Sequence, residues 1–155
     1  MNIVSLYSRT ELDIINPMLQ QHFGCKWMCY VHDIQLIRQH QDTKNTLFII
    51  SEDLFSQPQD LLEIMTCKQF WIVINCPINA FANSNIPQSM IDQIFVFDFN
   101  NTVLKKLYLQ LGFISRYSFS EFRNLVYQII DDTIPIERNA LVIQHQQLFY
   151  FRSNL

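Results

Sequence analysis

At 155 residues, 49% apolar and only 16% charged, the chain is long enough for one domain with a proper core, too short for two comfortable ones, and too hydrophobic to be disordered. Eleven basic against fourteen acidic residues give a net charge of −3, and no segment gathers the basic ones into the concentrated positive face that a nucleic-acid reader needs. No apolar run approaches the roughly 20 residues that cross a bilayer, and MNIVSLYSRTELD has neither the basic lead nor the unbroken apolar stretch of a signal peptide, so a cytoplasmic location is expected.

Five short apolar runs recur along the chain: IVSLY from Ile3, KWMCYV from Lys26, TLFII from Thr46, FWIVIN from Phe70 and QIFVFDF from Gln93. Helical patterns fill the intervals, the rhythm of repeated strand–helix–strand crossovers. Runs apolar on successive residues suit strands covered on both faces of a parallel sheet. Thr10 is placed to cap a first helix carrying Leu12, Ile15 and Leu19, with Pro17 kinking it or moving its start to Asn16, and Gly24 ending it. His32 or Asp33 opens a shorter helix bearing Ile34 and Ile37. Ser56 and Gln59 have capping-box spacing ahead of an inner face of Leu61, Leu62 and Met65. PINAFANSNIPQSM reads as a loop with one or two helical turns.

Val103, Leu104, Leu107, Tyr108 and Leu111 mark a helix closed by Gly112. A further helix follows, with Ser118 and Glu121 as a capping box and Phe122, Leu125, Val126, Ile129 and Ile130 on one side. Beyond Pro135, ALVIQ and LFYF flank a polar centre from Gln144 to Gln147 and read as a hairpin without an Asn-Gly turn. Two parts are expected: an α/β unit over residues 1–112, and a helix plus hairpin over 113–155.

Chemistry in a doubly wound sheet gathers beyond the carboxyl ends of the strands. Those positions hold Ser8 and Arg9, Ser51 to Asp53, Asn75 and Cys76, and Asp98 to Asn100. Ser51, Asn75 and Asp98 are the candidate ligand-binding residues. Cys76 beside one of the four histidines could form a nucleophile, but no spacing favours it, and a buried thiol is the simpler reading. Cys25, Cys29, Cys67 and Cys76 form no CxxC pair and no zinc-ligand spacing, so free, buried or half-buried thiols are expected. The two glycines, Gly24 and Gly112, both read as helix ends and cannot form a phosphate-cradling loop. No metal, cofactor or catalytic residue is expected.

The order of five strand–helix units over residues 1–112 resembles the receiver domain of bacterial two-component response regulators. That resemblance implies a flavodoxin-like fold, three layers around a five-stranded, mainly parallel sheet in the order 2-1-3-4-5. It also implies an acidic pair after the first strand to hold magnesium, a phosphoacceptor aspartate after the third, a Ser or Thr after the fourth and a lysine after the fifth. This chain has Ser8-Arg9, Ser51, Asn75-Cys76 and Asp98-Phe99 at those places, with no lysine until Lys105, and Asp53 lies two residues past the phosphoacceptor position. The expectation is a non-catalytic regulatory or protein-interaction module, similar to a degenerate receiver that works without phosphate and through self-association or a protein partner. Phe149, Tyr150 and Phe151 would supply the contacts by adding to a sheet edge of the same or another chain, the rival reading being that the hairpin simply packs on its own domain. The alternatives are a small-ligand or enzymatic α/β domain using the strand-end polar groups, or a subunit of a larger assembly.

Overall fold

The computed structural model describes residues 1–7, 12–40, 43–67, 69–84, 86–131, 133–135 and 138–153, and all five apolar runs become strands. They are β1 (Asn2–Tyr7), β2 (Trp27–Val31), β3 (Thr46–Ile50), β4 (Trp71–Pro77) and β5 (Gln93–Val96), followed by β6 (Asn139–Gln144) and β7 (Gln147–Arg152). Six helices accompany them among the described residues: α1 (Leu12–His22), α2 (Gln35–Arg38), α3 (Pro58–Met65), α4 (Ile78–Ala82), α5 (Asn101–Gln110) and α6 (Phe119–Ile129).

One mixed sheet takes up all seven strands in the order β2-β3-β4-β1-β5-β6-β7. β1 to β5 run parallel, β6 is antiparallel to β5, and β7 is antiparallel to β6. Two expectations are corrected here. The sheet has seven strands rather than five, because the C-terminal hairpin pairs directly with β5 through Ile94–Ile143, Phe95–Val142 and Val96–Leu141. The order 2-1-3-4-5 is also replaced: β1 moves from beside β2 to a place between β4 and β5, while β2 keeps its edge position. Burial explains why β2 keeps the edge. NIVSLY and TLFII can be enclosed on every side, whereas WMCYV keeps Trp27 and Tyr30 in solvent, a composition suited to an edge.

The faces divide unequally. Val4, Leu6, Phe48, Ile72, Ile74 and Val96 point to a core shared with α2 to α6. Ile3, Leu47, Ile49, Val73, Phe95 and Phe97 point to a smaller core closed by Ile15, Met18 and Leu19 of α1. A right-handed parallel crossover makes this necessary. The step from β1 to β2 runs toward one edge with α1 beneath, and every later step runs back, which places its helix on the opposite face.

Local chemistry sets the element ends. α1 begins at Leu12 and passes through Pro17 without a new start at Asn16; Thr10 lies outside the described residues. The Ser56–Gln59 capping box does not form, since the Ser56 hydroxyl donates to the Asp53 carbonyl (2.9 Å) and α3 begins at Pro58 behind Gln57. Leu62, expected inside, is 45% exposed. The box at α6 does form: Glu121 N–H donates to Ser118 Oγ (3.2 Å) and Ser118 N–H to Glu121 Oε1 (3.3 Å). Ser118→Ala is therefore expected to cost about 1 kcal/mol in urea denaturation. Between β6 and β7 the chain turns on His145 and Gln146, both at positive φ (50° and 64°), the geometry of a two-residue type I′ hairpin.

Candidate functional site

β1 is flanked by two strands whose following helices lie on the face opposite α1, so the chain diverges at the carboxyl ends of β4, β1 and β5. In an open α/β sheet, that divergence is where ligands enter. Ser8 and Arg9, which follow β1, lie outside the described residues. The three polar residues expected there are held apart. Ser51 is separated from β1 by all of β4. It caps a short 3-10 turn over Glu52–Ser56, its hydroxyl accepting from Asp53 N–H (3.3 Å). Asp98 is buried, and its Oδ1 accepts from Asn100 N–H (3.2 Å) and Asn100 Nδ2 (3.1 Å). Asn100 in turn caps α5 through Val103 N–H (2.9 Å). Ser51 and Asp98 thus shape turns.

Asn75 differs. It is only 5% exposed, sits on the α1 face of β4, and pairs in register with Ser5 of β1. Asn75 Oδ1 and Ser5 Oγ are both buried without a hydrogen-bond partner among the described residues. Asn16, fully buried on α1, adds a third such atom, its Oδ1, while its Nδ2 lies 3.5 Å from the Tyr30 hydroxyl. Sequence reasoning found Asn75 and missed Ser5 and Asn16. Parity was the available signal: Ser5 alternates with Ile3 and Tyr7, so it shares their face, and Asn16 adjoins Ile15 in the helix stripe. These three groups are neutral donors and acceptors, and none can serve as a general base or nucleophile without an activating partner.

Asp53 is exposed on the 3-10 turn, three residues past the end of β3. Cys76 is enclosed in the larger core. No disulfide joins any of the four cysteines; burial raises the pKa of Cys25 and Cys29, which suppresses the reactive thiolate. Among the described residues, no group of three or more His, Cys, Asp or Glu could hold a metal ion, and no helix is long and apolar enough to cross a membrane. A groove of about 290 Å³ between α3 and α4 is lined by Phe55, Leu61, Leu62, Met65, Ile86 and their neighbours, with no ionisable side chain among the described residues of its wall.

The aromatic run of β7 splits between the faces. Phe151, half-buried, packs on the rings of Phe95 (5.5 Å) and His22 (4.6 Å). Partial loss of water among these rings lowers the His22 pKa. Tyr150 lies on the opposite face against the larger core. Phe149, on the α1 face beyond the helix, is 45% exposed. The register fixes the backbone as well. Gln144–Gln147, Val142–Phe149 and Ala140–Phe151 exchange hydrogen bonds, and Ser153 N–H continues the ladder to the Arg138 carbonyl (2.8 Å). The amides of Leu148, Tyr150 and Arg152 therefore point outward, and no partner for them occurs among the described residues.

No family model, curated protein or solved structure matches this chain.

Proposed function

We propose that this chain is a non-catalytic protein-interaction module of regulatory type, independent of phosphorylation, which docks other strands on the open edge of β7. The observation that carries the reading is the outward row of Leu148, Tyr150 and Arg152 amides beside the exposed Phe149. Natural edge strands are blunted by a central lysine, a proline or a bulge. QLFYFR has none of these, and its one charge lies at its end. β2, the other edge, is shorter and bracketed by Lys26 and Asp33, which discourage pairing. Strand addition supplies backbone hydrogen bonds for affinity and alternate side chains for selection.

A peptide copy of β7 with lysines added at its ends for solubility tests this reading. In excess, it is expected to slow amide exchange at Leu148, Tyr150 and Arg152 by about tenfold or more. Unchanged exchange there would remove the edge as a docking element. Acetyl phosphate with Mg²⁺ is expected to leave the protein unmodified, and a phosphoryl adduct on Asp53 would overturn the phosphate-independent reading.

A second reading, a small-ligand α/β domain, draws on the unpartnered Ser5, Asn16 and Asn75 atoms beneath α1. Saturable metabolite binding that is lost in Asn75→Ala would favour it. Constant co-purification with one partner would favour an assembly subunit instead.

A further inference from the structure

Resting on the strand-docking reading, we infer that the strand taken up by β7 is β7 of a second copy, paired antiparallel about a two-fold axis through Tyr150. The edge is self-complementary in only a few registers, because outward amides must meet outward amides. Leu148, Tyr150 and Arg152 are the outward set, and Gln147, Phe149 and Phe151 bond inward to β6. Centring on Tyr150 pairs Tyr150 with the partner's Tyr150, Leu148 with the partner's Arg152, and Arg152 with the partner's Leu148. Each pair exchanges both N–H···O bonds. Centring on Phe149 would send Arg152 opposite the partner's Gln146, a turn residue at positive φ, and lose one of those pairs.

Side chains agree with the first register. Phe149 falls opposite the partner's Phe151 in a non-hydrogen-bonded pair, where side chains approach most closely and aromatic pairs gain most. The exposed ring is thereby covered on the face that α1 leaves open. Charge does not oppose the pairing. Arg152 is the sole charged residue of β7, and its own Asp131 lies close enough to feel its field. The two arginines stand four residues apart along the paired strands, about 14 Å at roughly 3.4 Å per residue. That separation exceeds the screening length of about 8–10 Å.

A six-residue edge with two symmetry-related Phe149–Phe151 pairs is well below the interface of a stable dimer, so the association belongs to the weak class, with Kd between roughly 10 µM and 1 mM. Sedimentation equilibrium of the full chain up to about 1 mM is expected to show a reversible dimer in this range. Phe149→Lys, at an exposed site that the fold tolerates, is expected to raise Kd at least tenfold. Arg152→Pro, which deletes an outward donor, should do the same, whereas Arg152→Ala should leave Kd within about threefold.

Spin labels at Gln147→Cys, with Cys29 and Cys67 changed to Ser, are expected to report a backbone separation of about 20 Å, from six residues of offset at roughly 3.4 Å each. A chain that stays monomeric while the β7 peptide still protects the edge overturns the two-fold inference and leaves strand docking intact. A dimer indifferent to Phe149→Lys and Arg152→Pro, or a label separation beyond about 30 Å, overturns it as well.

Discussion

Phe95→Ala is expected to destabilise the protein by about 3–5 kcal/mol, a large share of the roughly 5–15 kcal/mol that holds a domain of this kind together. Phe95 is 1% exposed at the middle of the smaller core and touches the rings of His22, Phe23, Phe97 and Phe151. Two of those rings belong to the end of α1 and its exit, and Phe151 belongs to β7, so this side chain joins the lone helix of that face to the added hairpin. Only α1 covers the face, and few neighbours can move in to fill the space. Urea denaturation measures the loss. Amide exchange should show Phe149 and Phe151, whose bonds go inward, opening before β1 and β4. A cost under about 1.5 kcal/mol would mean that the hairpin holds to β5 by its backbone ladder alone.

The strands were legible in the sequence because burial on both faces leaves a signature of successive apolar residues, as in Phe48-Ile49-Ile50 and Ile72-Val73-Ile74. Their neighbours were not legible. Spacing shows that helices link the strands, but the crossover from β1 to β2 passes over β4 and β3 and leaves no local mark. The polar and aromatic content of KWMCYV was the one hint that it belonged at an edge. The hairpin was visible as two apolar pieces, although His145 and Gln146 take positive φ where Asn-Gly would ordinarily signal the turn. Ser56 shows how a capping motif misleads. It precedes an acceptable helix start, but its hydroxyl is already bonded inside the preceding turn, which Ser51 caps. Of the candidate site residues, Asn75 has a buried side-chain oxygen without a hydrogen-bond partner among the described residues. Ser5 and Asn16 were hidden because a single polar residue in an apolar run ordinarily reads as solvent-facing.

Those hidden groups lead to an expected result of unusual sign: the double variant Ser5→Ala/Asn75→Val should be more stable than the parent by about 2–4 kcal/mol. A buried acceptor with no donor costs about 1–3 kcal/mol, and replacing both polar groups with apolar ones of similar shape removes the penalty instead of leaving an orphan. The two side chains are opposite one another on β1 and β4, at 0% and 5% exposure, so neither substitution opens a contact with water. Valine also suits a central strand better than asparagine does. At roughly 2–4 °C per kcal/mol for a chain of this size, thermal unfolding should shift upward by about 4–16 °C. Retention of an energetic penalty at the meeting of β4, β1 and β5 would then mark a position kept polar at the expense of stability, the pattern of a functional rim more than of a packing element. A loss of stability in the double variant would instead assign bonded partners to Ser5 Oγ and Asn75 Oδ1 in the parent, and the small-ligand reading would lose the feature that favours it.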